Sequence, residues 1–192
     1  MASSKIELDI ERIRKALAVL DLKHSVYCYL LDELHKTDVS VNSRYQHEYS
    51  NFYGMLRFPT AAFRKVYFDY MESAKDIKLT QINGIIKHIY EKTGRMELSF
   101  ASKMLHTINP EMPIWDSRIQ YHLGLKARPL TLAKVTDYYN NLDKMYYEYF
   151  GTPNAEEIIT VFDRQFPNTN YSLVKKVDTC IWSLGPKPKT LK

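Results

Sequence analysis

The sequence predicts an all-α fold, a compact single-domain bundle of about nine or ten helices, and three observations predict it. Apolar residues recur at steps of three and four along most of the chain, which lines them up on one face of a helix. No run alternates apolar and polar residues between turn dipeptides, as a half-buried strand would. Glycine is scarce, six in 192 residues, which leaves little material for hairpins and tight turns.

The elements follow in order. Ile6, Ile10, Ile13, Leu17 and Leu20 share one helical face. Val26, Tyr27, Leu30, Leu31 and Leu34 continue to about Lys36, where Thr37-Asp38-Val39-Ser40 breaks the pattern. Asn42 or Ser43 can cap the next helix, which carries Tyr45, Tyr49, Phe52 and Tyr53 and should stop near Arg57, because Pro59 disfavours helical geometry at Phe58. Thr60 to Ser73 reads as a helix with Phe63, Val66, Tyr67 and Tyr70 in register. The cleanest stripe is Ile82, Ile85, Ile86, Ile89 and Tyr90, with Thr80 as its expected cap and Gly94 as a left-handed stop. Beyond a central segment, Val135 to Tyr149 forms a long helix and Gly151-Thr152-Pro153-Asn154 divides it from the next. Ala155, Ile158, Ile159 and Phe162 follow, and Leu173, Val174, Val177, Ile181 and Leu184 close the series after a turn at Pro167-Asn168-Thr169-Asn170.

No internal repeat, low-complexity tract or Pro/Gly/Ser-rich linker divides the chain, so residues 1–185 are expected to form one helical domain. The basic end 186–192 reads as a frayed tail. A 45% apolar and 26% charged composition is that of a globular chain, not a disordered one. The formal net charge of +5 permits attraction to a polyanion without demanding it. Fifteen tyrosines supply flat amphipathic surface suited to a core or to stacking under a nucleobase. Cys28 and Cys180 each sit within an apolar helical pattern, as free thiols do in a reducing compartment. No His or Cys pair has zinc-ligand spacing, and two cysteines cannot ligate a four-thiolate cluster, so neither metal nor cofactor is expected. Met1-Ala2-Ser3-Ser4-Lys5 leads into mixed charged and apolar residues without a secretory apolar run, and no stretch is apolar enough to span a bilayer. The expected location is cytoplasmic.

The chemistry-bearing stretch is ELSFASKMLHTINPEMPIWDSRIQYHLGL, Glu97 to Leu125. A helix from about Phe100 to Ile108 places Lys103 and His106 on one face, three residues apart. Asn109-Pro110 and Met112-Pro113 impose an extended link, since a residue before proline avoids helical geometry. The chain restarts at Trp115-Asp116-Ser117, where Asp116 can serve simply as the N-cap of a short helix ending at Gly124. Lys103 can likewise be an ordinary solvated lysine, His106 a satisfied core or surface histidine, and Trp115 a packing residue.

This stretch resembles the helix-hairpin-helix DNA glycosylase superfamily, and more closely a group of small bacterial proteins described as 8-oxoguanine DNA glycosylase-like. In that superfamily a hairpin is followed by a lysine, then a proline-bearing link, then an aspartate opening a helix that ends in Leu-Gly-Leu. Ser99-Phe100-Ala101-Ser102-Lys103 stands in the place of the hairpin and lysine. Pro113-Ile114-Trp115-Asp116-Ser117-Arg118-Ile119, followed by Leu123-Gly124-Leu125, is similar to the aspartate segment. Asn51-Phe52-Tyr53 with Arg57, and Lys175-Lys176-Val177-Asp178 with Trp182, resemble further marks of the small-protein group. The hairpin lacks the usual glycines, which let backbone N–H groups approach a phosphate.

The resemblance implies a DNA partner and base excision, with Lys103 as nucleophilic amine and Asp116 as the ionised carboxylate that stabilises positive charge on the sugar. It implies that His106 assists proton transfer. Phe52, Tyr53 or Trp115 would stack on the extruded base or fill its gap, and Arg57, Ser99, Ser102 and Arg118 would contact the DNA. Two other readings stay open: a non-catalytic helical module that binds nucleic acid or protein, and a structural or regulatory protein that touches no DNA.

Overall fold

The computed structural model describes residues 5–55, 60–77, 79–125 and 131–186, and it is all-helical, with ten helices and no strand among them. In chain order these are α1 (Ile10–Ala18), α2 (His24–Leu34), α3 (Ser43–Phe52), α4 (Ala61–Ala74), α5 (Asn83–Thr93), α6 (Leu98–Ile108), α7 (Ser117–His122), α8 (Leu132–Tyr149), α9 (Pro153–Gln165) and α10 (Leu173–Ser183). Arg57, Pro59 and nearly all of the basic tail lie outside the described residues. No helix among those described is long and apolar enough to cross a membrane.

The chain divides into two compact units: Leu22–Asn109, and Met1–Asp21 together with Pro110–Lys192. The junctions fall at Asp21-Leu22 and Asn109-Pro110, where no run of glycine or serine marks a linker.

In the inserted unit, Leu22–Asn109, α2 packs on α3, α4 on α5, and α6 touches α2, α4 and α5. Its interior is aromatic: Tyr45, Tyr49, Tyr67 and Phe68 are fully buried, with Phe68 edge-on to Tyr45, Tyr49 and Tyr67. The buried hydroxyls are satisfied in series, since Tyr49 meets Tyr67 at 2.8 Å and Tyr67 donates to the Phe100 carbonyl at 2.8 Å. Burial holds both phenols well above their ordinary pKa, so they remain donors.

In the other unit α1 packs against α9 and α10, and α10 also packs against α9 and α7. The first helix starts later than its apolar stripe suggests. Asp9 accepts from the Arg12 amide and caps α1, so Ile6 and Leu8 reach the core from an extended arm that alternates buried and exposed residues. Asn154 fixes that arm through paired bonds with the Leu8 amide and carbonyl, both 3.0 Å.

Caps explain most of the remaining boundaries. Asn42, Thr60, Asp116 and Thr152 each accept a first-turn amide, and Gly94 ends α5 at φ 69°. Thr80 does not cap α5. The N-cap is Ile82, without a side-chain bond, and Asn83 instead accepts the neighbouring Gly84 amide. The sixth helix begins at Leu98, two residues earlier than the sequence suggests, so Ser99 to Ser102 are helical and the turn preceding Lys103 is Gly94 to Glu97. Leu98 is buried, which draws that first turn into the helix.

Candidate functional site

Asp116 and Lys103 belong to different units, and each is built by its own surroundings. Asp116 follows the proline-bearing stretch, whose main chain is held repeatedly by side chains of its own unit. Ser172 Oγ donates to the Pro110 carbonyl at 2.6 Å, and the Tyr139 hydroxyl donates to the Pro113 carbonyl at 2.8 Å. The Ile114 amide donates to Asp178 Oδ2 at 3.1 Å, while the Tyr146 hydroxyl donates to Asp178 Oδ1. Ile114 and Trp115 are buried, the indole 6.2 Å from the Tyr138 ring. Asp116 itself is half-buried, in extended geometry, and its Oδ1 accepts the Arg118 and Ile119 amides at 2.9 Å each. The helix it opens ends through Leu123-Gly124-Leu125, with Gly124 left-handed at φ 65° and the Leu125 amide bonded to the Gln120 carbonyl at 2.8 Å.

Beneath this segment lies a buried ionisable pair, Lys175 and Asp178, one helical turn apart on α10. Burial pushes the Asp178 carboxyl above the ordinary carboxylate range, opposed by the Tyr146 hydroxyl, the Lys175 charge and the Ile114 amide. Burial presses the Lys175 amine below the ordinary lysine value, and the charges of Asp178 and Asp116 pull it partly back. Lys175 and Asp178 therefore form a linked pair, with the Asp116 charge acting on both. At the surface beside it, the Arg118 guanidinium stacks 3.7 Å from the Trp182 ring centroid and donates to the Trp182 carbonyl at 3.0 Å. Trp182 is 43% exposed, so the pair presents a flat cationic face to solvent.

In the inserted unit Lys103 is half-buried on α6 and not simply solvated. Its Nζ donates to the Tyr53 carbonyl at 3.1 Å and lies 5.4 Å from the Phe100 ring centroid. Thr107 Oγ1 donates to the Lys103 carbonyl at 2.8 Å and lies 3.3 Å from the Tyr53 hydroxyl. Phe52, half-buried, stacks on Tyr27 at 6.0 Å and meets Tyr53 edge-on at 4.9 Å. His106 is fully buried, its Nε2 in a 3.0 Å hydrogen bond with the Tyr27 hydroxyl, which makes it a satisfied core histidine. Ser102 is also fully buried and donates to the Ser99 carbonyl at 3.0 Å; Ser99 is half-buried. A separate open depression of about 380 Å³ is lined by His35, Lys75, Asp76, Ile77, Ile108 and Asn109 and contains none of these residues.

Sequence reasoning missed Tyr139, Tyr146 and Ser172, and it attached no role to Lys175 or Asp178. The available signal was positional: Asp178 lies four residues after Val174 and three before Ile181 on the inward face of α10, where a carboxylate needs a reason. No protein-family model, curated protein or solved structure matches the chain.

Proposed function

We propose that this chain is a DNA glycosylase-like protein that excises a damaged base of the 8-oxoguanine type, with associated lyase activity. The observation that carries the reading is the Asp116 segment: an aspartate opening a short helix that ends in Leu-Gly-Leu, fed by a proline-bearing link whose backbone is anchored by buried groups. A carboxylate at a helix start, fixed by its own cap bonds, is suited to stabilising positive charge as a glycosidic bond breaks.

In this reading the nucleotide leaves the stack and the Lys103 amine attacks the anomeric carbon. The carbon–base bond breaks, its electron pair departs with the base, and the base takes the proton shed by the attacking amine. The nitrogen lone pair then displaces the ring oxygen, the C–O bond breaks with its electrons and a proton passing to that oxygen, and the Schiff base so formed permits strand cleavage. Arg118 and Trp182 offer a cationic, aromatic face for the nucleic acid, and the net charge of +5 favours association. The cytoplasm is the proposed compartment, in keeping with the free thiols Cys28 and Cys180.

A second reading, a non-catalytic helical module binding nucleic acid or protein, is favoured by the inserted unit. There the Lys103 amine is engaged by a carbonyl and a ring face, and His106 and Ser102 are buried. One assay separates the two: base release from a duplex carrying a single 8-oxoguanine, run beside salt-dependent binding to the same duplex. The proposal expects release together with affinity that falls linearly in log salt. Salt-sensitive binding without release of any lesion leaves the module, and loss of both removes DNA from the account.

A further inference from the structure

We infer that Asp178 and Tyr139 are positioning residues for Asp116, acting as a two-sided clamp on the single peptide plane between Pro113 and Ile114. This rests on the reading of Asp116 as the working carboxylate. The carbonyl of that plane belongs to Pro113 and accepts the Tyr139 hydroxyl at 2.8 Å. Its N–H belongs to Ile114 and donates to Asp178 Oδ2 at 3.1 Å. A peptide unit is rigid and planar, so a bond at each end fixes its rotation as well as its position. Asp116 lies two residues on, past the buried Trp115 and in extended geometry, so the clamp sets where the backbone enters α7 and the cap bonds of Asp116 then hold its carboxylate.

A clamp built only for stability would not require an ionisable group in the core, where an unpaired carboxylate is costly. Asp178 uses both oxygens: one holds the segment, and the other is held by Tyr146 on α8. Tyr139 stands two helical turns earlier on that helix, so α8 supplies one jaw directly and braces the other. The charged groups around the clamp are Lys175 from α10 and Asp116 itself, and Asp143 on α8 acts on Tyr139.

Two readouts on the full-length chain test this. The first needs no activity: amide hydrogen exchange of Ile114, compared with Ile158 to Phe162 on α9, in wild type, Asp178→Ala, Asp178→Asn and Tyr139→Phe. Asp178→Ala is expected to speed Ile114 exchange by about ten- to a hundredfold, the loss of one buried bond to a charged acceptor, with α9 unchanged. Asp178→Asn keeps an acceptor oxygen and should restore part of that protection. If Asp178→Ala does not fold, Tyr139→Phe and Tyr146→Phe carry the same comparison with one hydroxyl removed.

The second readout is base release. Asp178→Ala and Tyr139→Phe should each lower kcat, by up to about 100-fold for a misaimed carboxylate, with KM for the duplex unchanged. The double variant should be little worse than either single one, because both act on one plane. Unchanged Ile114 exchange overturns the clamp, as does full kcat in Asp178→Ala. Faster Ile114 exchange in a protein whose wild type releases no base leaves the clamp standing and removes the proposed function instead.

Discussion

Asp116→Asn is expected to slow base release by about 10²–10³-fold, the usual consequence of removing one oriented electrostatic stabiliser of a transition state. The substitution isolates charge from structure. Asp116 caps α7 through Oδ1 alone, which accepts both the Arg118 and Ile119 amides. Asparagine retains that oxygen and ranks with aspartate as an N-cap, so the helix and the segment before it should stand. Asp116→Ala, by contrast, removes the cap and should cost about 0.5–2 kcal/mol of stability in addition. Single-turnover kinetics on lesion duplex, with denaturant unfolding and duplex binding on the same preparations, separates these effects. Equal rates for wild type and Asp116→Asn would count against the assigned role.

Lys175→Met is expected to destabilise the protein by about 1–3 kcal/mol at neutral pH, because the buried Asp178 carboxyl, already raised by burial, loses its cation and takes up a proton in its place. That is a large part of the stability of an ordinary domain. The pH dependence has a definite sign. Asp178 has a folded pKa raised by burial, so the folded state holds its proton to higher pH than the unfolded chain does. Its contribution therefore weakens as pH rises from the ordinary carboxylate range through the raised value. Removing Lys175 takes away a group that opposes this rise, so the deficit of the variant should grow as pH rises through the raised value and shrink in acid, where the carboxyl is protonated in both states. Urea unfolding at neutral and mildly acidic pH measures this. A deficit under about 1 kcal/mol, or one independent of pH, would show that the pair does not carry the assigned charge.

Much of the fold was legible because local physics dictated it. The apolar spacings of Ile85, Ile86 and Ile89, and of Tyr139, Leu142 and Tyr146, became buried helix faces. Asn42 and Asp116 became caps because each precedes a stripe with a side-chain acceptor at the right distance. Where the reading slipped, tertiary packing outvoted the stripe. Ile6 keeps its burial from an extended arm once Asp9 caps α1, and buried Leu98 pulls the start of α6 back over Ser99.

The candidate site was legible only in part, for a related reason. Asp116 announces itself through its neighbours in sequence. Its supports, Tyr139, Tyr146 and Asp178, are brought to the proline-bearing link by the fold, as the bond from Ile114 to Asp178 across 64 positions illustrates. Inward-facing His106 and Ser102 looked like chemistry in the sequence; in the fold their polar atoms are occupied by Tyr27 and by the Ser99 carbonyl.

Borohydride trapping on an 8-oxoguanine duplex, followed by identification of the modified lysine, bears most directly on the proposal. The expected product is a covalent protein–DNA adduct located at Lys103 and absent from Lys103→Gln. An adduct at Lys175 would contradict the assignment of the amine, and no adduct with any lesion, alongside ordinary salt-sensitive binding, would contradict the enzyme itself.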